Sequence, residues 1–221
     1  MKNVFDNVQK CVLFKNMPES DLRSLLSCLG GKTRRYKKGE FICRAEDTLE
    51  TVGIVLSGTV HIITEDFWGN RSLLGEAEEG DTFAEAFACA GISNMPVSVL
   101  AAQNAEVLWL NYRRIITSCT SACAFHAALI ENMLKILAQK NISMLKKLEH
   151  VTRRTTREKL LSYLSEQAKL AGGDEFDIPF DRQQLADYLA VERSAMSAEL
   201  SKMRADGLLE FRKNRFTLYP Y

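Results

Sequence analysis

The chain has 221 residues, 46% of them hydrophobic and 26% charged, with a formal net charge of +1. This is the composition of a soluble globular protein, with length enough for two small domains. It excludes a membrane span, because no run approaches the roughly 18 apolar residues that one requires.

The N-terminal MKNVFDNVQKCVLF carries charges and amides, and lacks the apolar core and small-residue cleavage site of a signal peptide. No membrane partner is expected, and the cytoplasm is the expected location. SDLRSLLSCLG (20–30) predicts a helix: Ser20 caps it, Leu22, Leu25, Leu26 and Leu29 form one face, and Gly30 stops it. Then come KKGEFICRAED, TVGIVLSGTVHIIT, GNRSLLGEAEEGD, PVSVLAAQ and AEVLWLNY, short β-branched or aromatic runs set off by glycines. Many short strands between turn signals predict a sandwich or barrel over residues 1–117. Gly58 and Gly69 suit turns that need positive φ.

Residues 118–151 contain no glycine or proline. Cys123, Ala127, Ile130, Leu134, Leu137, Asn141, Met144, Leu148 and Val151 recur at alternating steps of four and three. That heptad pattern predicts a dimer seam, in which Asn141 fixes register at some cost in stability. The competing reading is one long helix packed on its own domain, which would show a wider apolar stripe.

Residues 152–221 read as a helix (155–171), a loop at GGDEFDIPF, two short helices and a hairpin whose tip gathers Arg212, Lys213 and Arg215. GGDEF here lies in a region far too short for a diguanylate cyclase. Within DRQQLADYLAVERSAMSAELSKMRADGLL the apolar positions are Leu185, Leu189, Val191, Met196 and Leu200. Arg182–Leu189 fits a first helix capped by Asp181, AVE (190–192) the turn, and Arg193–Met203 the second helix. Ala186 faces the helix crossing, where bulk would push the helices apart. Ala190 stands where glycine is common, so the turn carries a backbone cost.

This spacing, with a hairpin after it, predicts a winged helix-turn-helix. Arg193 suits two hydrogen bonds to guanine; its competing reading is a surface arginine balancing Glu192. Glu192 and Ser194 either meet base edges or cap the helix, and Ser197 shares the exposed face. Phosphate contacts are expected from Arg182, Gln183, Arg212, Lys213 and Arg215. Residues 151–221 hold 12 Lys/Arg against 11 Asp/Glu, but the acids cluster at GGDEFD and the bases at Arg153, Arg154 and Arg157 and at the wing.

The stretches KKGEFI, VLSGTVHI, GDTFAEA, the heptad helix and RQQLADYLAVERSAMSAELSKMRADGLLEF together resemble the Crp/Fnr family of bacterial transcription regulators, over essentially the whole chain. The resemblance implies an α+β architecture: a β-roll (jelly roll) of cyclic-nucleotide-binding type, a long dimerisation helix and a C-terminal winged helix-turn-helix. It also implies a homodimer on palindromic double-stranded DNA, with RNA polymerase as a further partner and a small-molecule effector. Family members that bind cyclic AMP place an Arg-Ser pair where Met95, Pro96 and Val97 stand here. No arginine lies between Arg71 and Arg113, so a buried phosphate would be poorly compensated. The expected effector is therefore not cyclic AMP. The expected pocket is lined by Phe83, Glu85, Phe87, Cys89 and Met95, with Ser143 and Met144 from the long helix. Family members commonly carry a second arginine where Ala198 stands, which predicts a less G-rich half-site.

No cofactor or metal is expected. Cys11 and Cys28 are too few and too far apart for the iron–sulfur branch. His61 and His126 are weak haem ligands, better read as surface or helix-face histidines. Cys119 and Cys123 lie one helical turn apart, as a redox pair or as small buried thiols. A redox- or haem-sensing regulator thus stays as an alternative input. An enzyme of cupin-like type with a DNA-binding tail would need metal ligands inside the barrel, which His61 alone cannot supply.

Overall fold

The computed structural model describes residues 4–69, 71–117 and 124–219. The chain forms two compact units, 1–138 and 139–221.

In the first unit, α1 (Val4–Lys10), a 3-10 turn (Val12–Phe14) and α2 (Glu19–Cys28) precede the strands. Two antiparallel four-stranded sheets follow. One has the order β1 (Lys32–Tyr36), β8 (Ala105–Asn111), β3 (Thr51–Ser57), β6 (Thr82–Phe83); the other has β2 (Phe41–Cys43), β7 (Ser98–Ala101), β4 (Val60–Glu65), β5 (Arg71–Ala77). The short helices α3 (Glu85–Ala90) and α4 (Tyr112–Ile116) flank the last two strands, and the long α5 spans Ala124–Val151.

The strand β3 shows why the sheet forms here. Its residues alternate between two cores. Val52, Ile54 and Leu56 pack with α1, α2 and the start of α5, whereas Val55 packs into the roll with Phe83, Met95, Val97 and Val107. Gly53 faces the roll as well, because a Cβ there would sit 2.3 Å from Phe83 Cζ. Gly58 is required twice over: its φ is +83°, and a Cβ would lie 2.3 Å from the Asn104 carbonyl oxygen.

In the second unit, α6 (Thr156–Ala171), α7 (Arg182–Leu189) and α8 (Arg193–Ala205) pack around Leu160, Leu164, Leu185, Leu189, Met196, Leu200 and Met203. Strands β9 (Glu175–Asp177), β10 (Leu209–Arg212) and β11 (Arg215–Leu218) form an antiparallel sheet of order β10-β11-β9. Thr155 caps α6 and Asp181 caps α7, each through a reciprocal capping box with the residue three positions on.

The differences from the sequence reading have physical causes. The helix read from Ser20 starts at Glu19, with Pro18 as its N-cap. KTRRY, to which the sequence reading assigned no element, forms the edge strand β1, where only Tyr36 is buried. GGDEFDIPF is not all loop: EFD pairs with β11 and buries Phe176. The second helix of the helix-turn-helix, α8, runs two residues past Met203, to Ala205.

Candidate nucleic-acid interface and effector region

The helix-turn-helix is sealed from within. Leu185, Ala186, Leu189, Met196, Leu200 and Met203 are all fully buried. The turn is made by Ala190 in the left-handed region (φ 50°, ψ 57°). Lys159 Nζ supports that turn from α6, donating to the carbonyls of Leu189 at 3.1 Å and Ala190 at 3.2 Å. The sequence reading placed the strain at Ala190 but not the lysine that offsets it, because the two are 31 residues apart.

Each predicted reading residue has a definite place. Arg193, Ser194, Ser197 and Ala198 are exposed at the start of α8. Glu192 is the N-cap: it accepts from the Ala195 N–H at 2.9 Å and from the Ser194 hydroxyl. These bonds hold its carboxyl below the usual carboxylate range. Glu192 thus caps the helix, and the Ser194 hydroxyl bonds to that cap. Ser197 Oγ donates back to the Arg193 carbonyl at 2.9 Å. Arg193 keeps its guanidinium on the exposed face.

The predicted phosphate contacts divide. Arg212 and Lys213 are exposed at the wing, and Gln183 is exposed while donating to Asp187 at 2.9 Å. Arg215 is tied to Glu175 at 2.7 Å. Arg182 is half-buried, its guanidinium 4.8 Å from the Phe211 ring centroid and 5.0 Å from that of Phe216, and burial lowers its pKa. Arg157, counted among the bases of the domain, is spent internally on Glu199 at 2.5 Å and Asp206 at 2.6 Å. It thereby braces α8 against α6, which net-charge arithmetic could not reveal.

The long helix has two unlike faces. His126, Leu129, Asn132, Met133 and Ile136 are buried, and Asn132 Nδ2 donates to the Leu13 carbonyl at 3.1 Å. The heptad seam lies elsewhere on the helix: Leu134, Met144 and Leu148 are 62%, 65% and 48% exposed. Ala127 and Asn141 are exposed, and Ile130 and Leu137 are half-buried. Cys119 and Cys123 lie outside the described residues. Of the two places read for His126, surface or helix face, it takes the second, on the buried face of α5, with neither ring nitrogen hydrogen-bonded among the described residues.

At the end of α5 a polar node joins the helix to the reading domain. His150 is 2% exposed; its Nδ1 lies 2.8 Å from Ser162 Oγ and its Nε2 lies 2.8 Å from Glu166. Lys146 reaches the other Glu166 oxygen at 2.6 Å. Lys146 first, then His150, holds the Glu166 carboxyl below its ordinary value. The sequence reading did not single out His150, whose partners come from a different helix.

The predicted effector pocket is not assembled as expected. Phe83 and Met95, each 1% exposed, belong to the packed core of the roll, and Glu85 is buried at 3%. The Phe83 ring meets Trp109 edge-on at 5.3 Å, and the indole N–H of Trp109 donates to Tyr36 OH at 3.1 Å. Phe87 is half-buried against the same core. Only Cys89 of the predicted set lines the cavity of the first unit described below. Ser143 and Met144 belong to the second unit and are exposed.

With this geometry in place, the relatives are informative. Residues 33–120 match the cyclic nucleotide-binding domain model, and residues 158–219 match the Crp-like helix-turn-helix domain model. The chain is a Crp/Fnr-family transcription regulator. The CRP-like protein Clp of Xanthomonas euvesicatoria pv. vesicatoria is 25% identical over 197 residues, covering 84% of this chain and 83% of the relative. A solved structure described as the c-di-GMP responsive global regulator CLP of Xanthomonas campestris has a TM-score of 0.62 at 20% identity, covering 92% of this chain and 100% of that one. The structure of FixK2 from Bradyrhizobium japonicum gives 0.53 at 19% identity, covering 86% and 93%. This Crp/Fnr regulator is not an enzyme. No described helix is long and apolar enough to cross a membrane.

Proposed function

We propose that this regulator is a cytoplasmic homodimer that binds palindromic double-stranded DNA and is switched by an effector other than cyclic AMP. The observation carrying the reading is the start of α8, where Arg193, Ser197 and Ala198 are exposed over a fully buried Met196 and Leu200. A helix held that rigidly presents its N-terminal side chains to a major groove. Arg193 reads a guanine, Ser197 and Ala198 leave room for a thymine methyl, and Arg212 and Lys213 of the wing hold phosphates. RNA polymerase is a further partner once the dimer is seated at a promoter.

The exposed seam from Leu134 to Leu148 supports dimerisation, because these apolar side chains recur at heptad spacing and would be covered by their mates. The packed Phe83 and Met95, and the lack of any arginine from residue 72 to 112, argue against a cyclic nucleotide inside the roll. The c-di-GMP response named for the Xanthomonas relative involves phosphates too, and the same argument speaks against it here.

Site selection from random duplexes with the purified protein, paired with light scattering, tests the proposal. The expected result is an inverted repeat with half-sites one helical turn apart, bound by a dimer, with one strongly required guanine per half-site. A monomer, or failure to enrich any repeat, refutes it.

A further inference from the structure

The first unit contains a cavity of about 450 Å³ that does not coincide with the packed interior of the roll. Its walls are the segment before β3, the end of α3 with the turn after it, and α4. That volume falls in the range of pockets that hold small organic ligands.

The lining is specific in chemistry. Leu49, Ala88, Ile92 and Ile116 supply apolar surface, and Ile92 and Ile116 are still 41% and 46% exposed. Its polar groups include the Cys89 thiol and the Tyr112 hydroxyl, beside the hydroxyls of Thr48, Ser93 and Thr117. Burial raises the pKa of Cys89 and of Tyr112, so both are protonated at neutral pH. At the rim Arg113 meets Glu50 at 3.4 Å, so the one cation of the lining is matched by its one anion. A phosphate or carboxylate would have to displace Glu50 to gain that arginine.

We propose that this cavity is the effector site, and that it takes a neutral amphipathic organic molecule whose single hydroxyl or carbonyl joins the Cys89–Tyr112 pair. The inference rests on the reading of the chain as an effector-controlled regulator. Its output follows from position. Tyr112 is the first residue of α4, its N–H donates to the Glu50 carbonyl at 3.1 Å, and Asn111 caps the helix by accepting from the Arg114 N–H. A ligand between α3 and α4 therefore acts on the last element before the chain proceeds to α5.

The test uses the full-length protein with 13C-labelled isoleucine methyls, titrated with indole, benzyl alcohol, benzoate and cyclic AMP. Indole and benzyl alcohol are expected to shift the Ile92 and Ile116 δ1 methyls saturably, while benzoate and cyclic AMP do not. Tyr112→Phe should weaken benzyl alcohol about three- to ten-fold and leave indole less affected, as expected for one hydrogen bond. Ser93→Trp, at the exposed rim, should abolish both, with an unchanged Ile178 methyl showing that the other unit is intact. The proposal is overturned if neither neutral probe shifts Ile92 and Ile116, if the shifts fall instead on Ile42 and Ile62 of the roll, if benzoate binds as well as benzyl alcohol, or if Ser93→Trp leaves binding unchanged. Binding of the selected DNA is measured in parallel. Saturable shifts without DNA binding would keep the site and sink the regulatory reading; DNA binding without shifts would do the reverse.

Discussion

Gly53 and Phe83 give the sharpest test of the packed roll. A Cβ on Gly53 would lie 2.3, 2.5 and 2.7 Å from three atoms of the Phe83 ring. Ordinary contact needs about 3.4 Å or more, so the ring must retreat by roughly 1 Å. It has little room to do so, being 1% exposed and set edge-on against Trp109 at 5.3 Å. Overpacking of this kind costs about 1–3 kcal/mol, and the upper end applies here. The alanine recovers about 0.5–1 kcal/mol of strand propensity, leaving Gly53→Ala destabilised by about 2 kcal/mol. Phe83→Leu removes the obstructing ring atoms at a cost of about 1–2 kcal/mol. The double variant should then be no less stable than Phe83→Leu alone, a coupling of about 2 kcal/mol. Urea unfolding followed by Trp109 fluorescence, in a Trp68→Phe background, measures all four corners. Additive effects within about 0.5 kcal/mol, or a neutral Gly53→Ala, would refute the argument that Phe83 fills the roll.

Three further outcomes are expected. Ala190→Gly should stabilise the reading domain by about 1 kcal/mol, since it relieves a left-handed alanine without touching the core; thermal unfolding with the Lys159 variants as controls checks it. Arg193→Ala should lower affinity for the selected site by about ten- to a hundred-fold and relax the guanine requirement, whereas Arg212→Ala should weaken all sequences alike, as fluorescence anisotropy on matched and mutated duplexes will show. Burial pushes the Cys43 thiol up to about 11 from an ordinary 9. Between those values the unfolded chain has lost the proton and the folded chain keeps it, so stability falls as pH rises, by about 2–3 kcal/mol at pH 11. In Cys43→Ala that part of the alkaline slope should vanish; an unchanged slope would mean the thiol titrates normally.

How much was legible in the sequence differs by element. The cap at Asp181 and the apolar spacing of α7 and α8 are local, and local chemistry was enough to place them within two residues. The exposed seam of α5 was legible because its period is regular. What escaped notice depends on partners far away in the chain. KTRRY is a strand only because β8 pairs with it, and β9 only because β11 does. Phe83 and Met95 were read as a pocket lining because the resemblance puts a ligand there; Gly53, thirty residues upstream, lets the ring close that space instead. Arg157, Arg182 and Arg215 were counted as available cations since pairing and stacking do not show in a composition.

Those engaged arginines bear on how the protein responds to salt. Each cation that newly neutralises a DNA phosphate releases a condensed counterion, and the slope of log K against log salt counts such events. Arg157 and Arg215 already hold carboxylates, and Arg182 leans on two phenylalanine rings. They contribute little to that slope unless DNA pulls them from their partners. On the proposed reading, phosphate binding then falls to the wing residues Arg212 and Lys213 and discrimination between sites to the groups around Arg193, over a small nonspecific background. On the proposed reading, a near-neutral regulator of this design would be sparing in its hold on bulk DNA, and its occupancy of any one promoter would depend comparatively weakly on the ionic state of the cell.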